Sequence, residues 1–309
     1  MPDRVRMPGP AALLDAALGA WVRRFRSLTL AAALLSGLGI AVDAILIEPD
    51  WIEVIRTVEY VPGLRPTAPD LVLIHLSDLH VVRLGVRERR AIARINDAHP
   101  DLIVISGDLT RFGTRREDLE AFLGALHARY GIFAVWGNHD HWNGTAETWG
   151  PSALARAGVT LLRNENQIVR VPGGPIVMAG LDDPVTGHDN LKAAMGGVAR
   201  SAVCLLLSHT PEIVRDLGNW DIDLVFAGHT HGGQVRLPGL GALVVPHGTR
   251  PYVEGWFDVR GDARLHVSQG LGWSMIPVRF FCRPRIDVIS LRGGVAPVSR
   301  PRHGIVQRT

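Results

Sequence analysis

The stretch LVFAGHTHGGQ at residues 224–234 constrains this chain most, because it places His229 and His231 one residue apart directly after an apolar run. Residues i and i+2 of an extended segment project to the same side, so both imidazoles can reach one small volume. The glycines around them leave room for a close backbone approach. The pattern is typical of a strand that ends at a metal, although a pair of surface histidines has the same spacing.

The same arrangement recurs upstream, where other apolar runs end in residues that commonly bind metals. The steps from Asp78 to Asp108 and from Asp108 to Asn138 are each thirty residues, the length of one βαβ unit. Ligand-type residues at the carboxyl ends of successive parallel strands lie along one sheet edge, where open α/β sheets place their sites. The runs are residues 71–76 before Asp78 and His80, 102–106 before Asp108, 132–136 before Asn138, His139 and Asp140, and 202–207 before His209.

Five motifs in a fixed order carry a family resemblance over roughly residues 71–291. The resemblance is to the calcineurin-like metallophosphoesterases, and it implies an α/β fold with the four-layer αββα sandwich of that family. Two packed sheets with helices outside also agree with the alternation of predicted strands and helices. The motifs are Asp78-x-His80, Gly107-Asp108, Gly137-Asn138-His139-Asp140, His209 and Gly228-His229-x-His231.

The resemblance also implies a set of seven metal ligands that bind two divalent ions. Oxygen and imidazole donors without a thiolate suit Mn, Fe, Zn or Mg. Two such ions could share a hydroxide and direct it in line at phosphorus. By resemblance, Asp78, His80, Asp108 and His231 hold one ion, and Asp108, Asn138, His209 and His229 hold the other, with Asp108 as the bridge.

His139 and Asp140 follow a predicted ligand and are the candidate catalytic residues. We expect His139 to donate a proton to the leaving oxygen or to stabilise the pentacovalent state. Asp140 would orient His139 by accepting a hydrogen bond from the other ring nitrogen. A turn residue at the end of the strand is the alternative for Asp140.

Residues 28–47 predict a single transmembrane helix, because Asp43 is their only charge and twenty helical residues span about 30 Å. Trp21 and Trp51 flank the segment as interfacial aromatics do. Three arginines precede it and acidic residues follow it, so the positive-inside rule places the N-terminus in the cytoplasm and the catalytic domain outside. A buried helix of a soluble protein is the alternative.

The expected organisation has five parts. They are a cytoplasmic N-terminal segment at 1–27, an uncleaved anchor at 28–47, a connector at 48–70, the catalytic domain at 71–292 and a disordered tail at 293–309. The two cysteines are too few for a disulfide framework, and the net charge of +3 permits an anionic substrate or a membrane surface without requiring either.

The predicted function is a membrane-anchored phosphoesterase that hydrolyses a phosphoester or pyrophosphate of a small molecule or lipid by metal-activated hydroxide. The Glu48-Pro49 stretch, residues 180–184 and residues 268–279 resemble a membrane-associated bacterial subgroup. That subgroup is similar to enzymes that cleave the pyrophosphate of UDP-2,3-diacylglucosamine, which gives an alternative substrate. A catalytically inactive binding scaffold is the alternative of another class, and its sign would be a missing ligand.

Nucleic acid is not an expected partner, because aromatic residues make up only 6% of the chain and the domain has no basic run. The apolar stretch at residues 272–277 could hold an acyl chain, rest in a membrane interface or be buried. The cluster of Arg279, Arg283, Arg285 and Arg292 favours a solvated basic face, with contact to anionic head groups as the alternative.

Overall fold

The computed structural model describes residues 10–259, 263–296 and 307–308. Its first element is one long helix, α1 (Pro10–Val42), which continues through a π-helical turn (Asp43–Ile47) into a 3-10 turn (Glu48–Asp50). The segment Trp21–Asp50 is long and apolar enough to cross a membrane, and an 18-residue stretch of it has a mean hydropathy of 2.3 with 6% of its residues buried. The predicted span is therefore part of a longer helix. Residues 1–9 of the expected cytoplasmic segment lie outside the described residues.

The first sheet has the strand order β15-β1-β14-β2-β3-β4-β5 within the described residues. Strands β2 to β5 are parallel, and β14 pairs antiparallel with β2 and parallel with β1. Their bounds are β1 (Glu53–Val61), β2 (Leu71–Leu76), β3 (Leu102–Ser106), β4 (Ile132–Val135), β5 (Val159–Leu161), β14 (Arg285–Gly293) and β15 (Gln307–Arg308).

The expected boundaries of the catalytic domain need two corrections. Strand β1 lies inside the predicted connector and is hydrogen-bonded to β14 over nine residue pairs, so the domain begins before residue 71. In the predicted tail, Gly293 ends β14, and β15 pairs with Ile55 and Arg56. Residues 297–306 and 309 of that tail lie outside the described part of the chain.

The second sheet has the order β12-β13-β9-β8-β7-β6. Residues 286–291 belong to β14 of the first sheet, and a small separate hairpin consists of β10 (Arg236–Leu237) and β11 (Gly241–Ala242). The strands of the second sheet are β6 (Glu165–Val171), β7 (Gly174–Gly180), β8 (Val203–Leu207), β9 (Leu224–Ala227), β12 (Gly255–Asp258) and β13 (Arg264–Val267).

Three apolar layers follow from the alternation of side chains along the strands. In β2, Leu73 faces the space between the two sheets, whereas Ile74 packs under the helices that cover the first sheet. In β8, Leu205 shares the layer between the sheets, and Leu206 packs on the outer side of the second sheet. The fold is therefore the predicted four-layer αββα sandwich.

The helices of the domain cover the outer faces of the two sheets. Helices α2 and α3 present an apolar stripe to the first sheet, for example Ile95 and Phe122, which are fully buried. A 3-10 turn (Pro211–Arg215) and α6 pack on the second sheet. The bounds are α2 (Val86–Asp97), α3 (Arg116–Gly124), α4 (Asn138–Trp142), α5 (Gly150–Arg156) and α6 (Leu191–Ala194).

Candidate metal centre

The predicted ligands all lie at the carboxyl ends of strands, on one edge of the sandwich. The end of each strand brings a buried apolar run to the rim of the fold, and the polar residues that follow it meet there. The structure places Asp78 and His80 after β2, Asp108 after β3, Asn138 after β4, His209 after β8, and His229 and His231 after β9.

Four of these side chains form a compact group in which one ligand atom from each lies within 4.8 Å of the others: Asp78, His80, Asp108 and His231. The Nε2 atoms of His80 and His231 are 3.2 Å apart. The Nε2 atom of His231 is 3.2 Å from Asp78 Oδ1, and that of His80 is 3.5 Å from Asp108 Oδ2.

The other predicted ligands adjoin this group through Asp108. His209 Nε2 lies 3.4 Å from Asp108 Oδ2 and 3.1 Å from Asn138 Oδ1. His229 Nδ1 lies 3.2 Å from His209 Nε2. The Oδ2 atom of Asp108 thus stands between His80 on one side and His209 on the other, which is the position required of a bridging ligand.

The backbone at the site is strained. Five of the seven ligand candidates have positive φ, a conformation that is uncommon outside glycine and that clusters at functional sites. Gly107 adds a close approach, since it has φ +90° and a Cβ there would lie 2.6 Å from His209 Nδ1. The five residues are Asp78 (49°), His80 (44°), Asp108 (52°), His229 (68°) and His231 (50°).

Burial and crowding shift the pKa values of these groups in opposite directions. Burial, supported by the carboxylate of Asp108, raises the pKa of Asp78 to about 6. Burial also lowers the pKa of His80 to about 3 and that of His229 to about 3, so these imidazoles are neutral. Burial opposes the charge on His209 as well, but the Asp108 carboxylate raises its pKa to about 10.

The donor set fits divalent cations. Asp78 Oδ1 and His231 Nδ1 are buried atoms that have no hydrogen-bond partner, although unpaired buried polar atoms are rare in proteins. The ring nitrogens of His80 and His231 face each other beside two carboxylates, an arrangement that a cation between them would stabilise. Imidazole and carboxylate together suit Mn, Fe, Zn or Mg.

His139 is half-buried and faces the same space. Its backbone N–H donates to Asp108 Oδ1 (2.8 Å), which fixes the residue beside the predicted bridge. Its ring packs edge-on against His80 and Trp142, with centroid distances of 4.8 and 5.1 Å, and its Nε2 lies 3.3 Å from Ser274 Oγ. The ring can therefore reach a group bound at the centre without being one of the predicted ligands.

The predicted role of Asp140 as the partner of the His139 ring is wrong. Its carboxylate is fully buried and accepts hydrogen bonds from the backbone N–H groups of Leu109, Thr110 and Gly137 and from the Thr110 hydroxyl. These donors lie in the loops after β3 and β4. Asp140 therefore ties the loop of Asp108 to the start of the helix that carries His139, because one carboxylate accepts from both segments.

A cavity of about 1040 Å³ opens onto the centre. Asp108, His139 and His229 lie on its floor, and Trp142, Val185, Val244, Met275 and Ile276 contribute apolar walls. Trp273 belongs to the same apolar stretch as Ile276, and its ring packs against the Arg111 guanidinium, whose central carbon lies 3.9 Å from the ring centroid.

The sequence did not reveal a buried arginine behind the site. Arg279 is fully buried rather than solvated, and its guanidinium donates to the carbonyl oxygens of Gln269, Gly270, Gly272 and Cys282. No local signal marks it, because its acceptors are backbone groups of a loop.

Glu48 and Cys282 connect the end of the long helix to the metal centre. The Glu48 carboxylate accepts from the N–H groups of Phe281 and Cys282, and the Cys282 thiol donates to the carbonyl oxygen of His231 (3.3 Å). Only the Glu48-Pro49 resemblance pointed to this region beforehand.

A second polar cluster accounts for Asp182, for which the sequence suggests no role. Asp182 Oδ1 lies 2.7 Å from His141 Nε2, and Oδ2 accepts from Arg163. These contacts attach the loop after β7 to the helix that begins with Asn138.

Comparison with known proteins agrees with this geometry. The family described as Calcineurin-like phosphoesterase matches residues 71–233, more than half of the chain. The chain belongs to this family. It is a phosphoesterase, and therefore a hydrolase.

Similarity to several proteins extends beyond the matched segment. The chain is 31% identical to the "Uncharacterized metallophosphoesterase YkuE" of Bacillus subtilis, over 71% of this chain and 78% of the relative. It is 30% identical to the "Phosphodiesterase YaeI" of Escherichia coli, over 79% and 90%. It is also 30% identical to the "Transmembrane protein with metallophosphoesterase domain" of Danio rerio, over 71% of this chain and 53% of the relative.

Proposed function

We propose that this protein is a membrane-anchored phosphoesterase that uses two divalent ions. The observation that carries the proposal is the position of Asp108, whose Oδ2 lies 3.5 Å from His80 Nε2 and 3.4 Å from His209 Nε2. Each side then has its own set of donors. Asp78, His80 and His231 would hold one ion with Asp108, and Asn138, His209 and His229 would hold the other with Asp108.

The ions would supply Lewis acidity to phosphoryl oxygens and would acidify water. The residues of the chain supply the rest. The carboxylates and imidazoles fix where the phosphate binds, and His139, which faces the cavity, protonates the leaving oxygen as the phosphorus–oxygen bond breaks. Asp140 holds the loop of Asp108 against the start of the helix of His139 by accepting four hydrogen bonds.

The walls of the cavity support a substrate with an apolar part. Met275 is 85% exposed and Val244 75% exposed, and both line the cavity above the centre. A phosphodiester or pyrophosphate attached to an acyl or prenyl group would place its phosphate on the predicted ions and its chain against these side chains. The similarity to YaeI, which is named a phosphodiesterase, favours the diester.

Two observations support a membrane anchor. The apolar helix is exposed, and the chain is similar to relatives that are named transmembrane proteins. Arg23, Arg24 and Arg26 precede the span, and acidic residues follow it. The positive-inside rule then favours a cytoplasmic N-terminus and an extracytoplasmic catalytic domain. A reporter that works only outside the cytoplasm, fused after Thr309, should be active, and a cytoplasm-only reporter should be silent.

The function is tested by purifying the full chain in detergent, removing metal with a chelator, and restoring Mn²⁺, Zn²⁺ or Mg²⁺ separately. Hydrolysis would be measured on a phosphomonoester, a phosphodiester and a UDP-linked diacyl sugar. Metal-dependent release from the diester supports the proposal. Activity on the UDP-linked lipid alone would favour the pyrophosphatase alternative, and inactivity on the whole panel would favour the binding scaffold.

A further inference from the structure

Six exposed apolar side chains lie on two segments, residues 234–244 and 275–281, that hydrogen bonds join to each other and to the C-terminal end of the long helix. We propose that they form a docking rim that rests on the bilayer crossed by α1, so that the cavity opens toward the lipid–water interface. The proposal depends on the membrane anchor proposed above and specifies how its substrates arrive. The docking rim consists of Leu240, Leu243, Val244, Met275, Ile276 and Phe281.

Hydrogen bonds, rather than a flexible tether, join the long helix to the domain. The π-helical turn frees the carbonyl of Ala44, which accepts from the N–H of Arg279 (3.0 Å). The Glu48 carboxylate accepts from two successive N–H groups at Phe281 and Cys282. Because these bonds hold the end of the helix against residues 279–282, the face of the domain that meets the membrane is fixed.

Both segments of the docking rim are hydrogen-bonded to, or continuous with, residues 279–282 at the end of the helix. The N–H of Arg236 donates to the Phe280 carbonyl and the N–H of Phe280 donates to the Gln234 carbonyl, each at 2.9 Å. The β10–β11 hairpin is thereby paired with the residue next to Phe281. The Gln234 side chain accepts from the Ser274 N–H (2.7 Å) and donates to its carbonyl (3.2 Å), which fixes the loop of Met275 and Ile276.

The side chains of the docking rim and its surroundings have the chemistry of a membrane-contacting surface. Isolated exposed apolar residues are normal, whereas a contiguous group of them marks an interaction site. Trp51 is half-exposed at the end of the span with the Arg283 guanidinium 3.8 Å from its ring centroid, and the exposed Arg250 donates to the Ala242 carbonyl in the hairpin. Tryptophan and arginine beside apolar side chains match an interface with anionic lipid head groups.

Depth-dependent quenching in lipid nanodiscs tests the proposal with the full chain. Val244→Cys and Met275→Cys would each carry an environment-sensitive fluorophore, and the native thiols of Cys204 and Cys282 are buried. The discs would contain phosphatidylcholine and phosphatidylglycerol, with acyl chains brominated near the head group, brominated near the chain end, or unbrominated. Leu35→Cys in the middle of the helix is the positive control. Ile168→Cys is the negative control, because Ile168 is 59% exposed and lies on β6, at the opposite edge of the second sheet from β12.

We expect a loss of emission from the labels at 244 and 275 in brominated discs, together with a blue shift on reconstitution, and neither change at 168. Quenching at 35 without quenching at 244 and 275 would overturn the docking rim and leave the anchor standing. Absence of quenching at 35 would refute the membrane span and the docking rim with it. Neither result would decide whether the unlabelled wild-type chain is a metal-dependent phosphoesterase, so the two proposals fail separately.

Discussion

Two buried clusters of histidine and aspartate exist in the described part of this fold, and they differ in where they lie along their strands. The candidate metal centre contains Asp78, His80, Asp108 and His231, and the inter-sheet cluster contains His75, His266 and Asp287. The inter-sheet residues belong to β2, β13 and β14, inside regular strands. The four residues of the metal centre follow strand ends, with φ between 44° and 52°.

The two clusters also differ in how their charge is balanced. In the inter-sheet cluster, Asp287 accepts from Arg285 and from the Ser268 hydroxyl, and His75 is bonded to His266 and Ser106, each at 2.8 Å. No arginine or lysine pairs with Asp78 or Asp108 among the described residues. The same residue types thus form a structural network where an arginine pairs with the carboxylate, and a candidate metal centre where no arginine or lysine does so.

The largest effect should come from Asp108→Ala, because this residue lies between both groups of ligands. We expect the loss of both ions and of activity. Elemental analysis of the purified variant, beside a phosphodiester assay, checks this. Retention of one tightly bound ion would show that Asp108 is a ligand on one side only.

His139→Ala should leave the metal content at the wild-type level and lower kcat by about 10²–10⁴-fold, the usual contribution of a positioned acid or base. The reason is that His139 contacts Asp108 through its backbone N–H, which the substitution preserves. His141→Ala, two residues further along the same helix, is the control. Loss of metal from the His139 variant would place this residue among the ligands.

Glu48→Gln should weaken metal binding less, because Glu48 reaches His231 only through Cys282. Groups that contact a ligand directly contribute about 10–100-fold to metal affinity, so we expect a smaller, severalfold loss. Metal titration of the chelator-treated full chain measures it. Asp50→Asn removes an exposed charge two residues away and should change nothing, and equal losses in both variants would exclude the proposed connection.

His266→Gln should have the smallest effect on turnover and leave the metal content unchanged. It should lower the free energy of unfolding by about 1–3 kcal/mol, because the His75 ring loses a buried partner. Thermal and denaturant unfolding of the full chain in detergent would show this. A fall in bound metal would mean that the inter-sheet cluster is itself a metal site.

The same variant gives a test by pH. Burial lowers the pKa of His266 well below 6.5, so the folded state keeps it neutral while the unfolded chain protonates it. Its contribution is therefore complete above pH 6.5 and is lost as the pH falls. In the variant, the unfolding free energy should depend less steeply on pH below 6.5, by up to about 1.4 kcal/mol per pH unit for one proton.

The strands that build the site could be predicted because each combines a buried apolar run with a polar end. Strands β2, β3 and β9 match the predicted runs, and the structure brings all seven ligand candidates together. β1 was missed because Glu53, Arg56 and Glu59 interrupt its apolar residues, which gave it the composition of a connector.

Other features depend on contacts between distant residues, which no local pattern encodes. The sequence of β14 predicts a strand but not its place between β1 and β2, which depends on pairing with residues more than two hundred positions away. Asp140 looked like the partner of a neighbouring histidine, yet its donors include the N–H groups of Leu109 and Thr110.

Anomalous diffraction from crystals of the full chain prepared with Mn²⁺ would show directly whether Asp108 bridges two ions. We expect two peaks about 3.5–4 Å apart on either side of the Asp108 carboxylate, the separation usual for paired catalytic ions. We expect no peak among His75, His266 and Asp287. A single peak on one side of Asp108, or any peak within the inter-sheet cluster, would contradict this expectation.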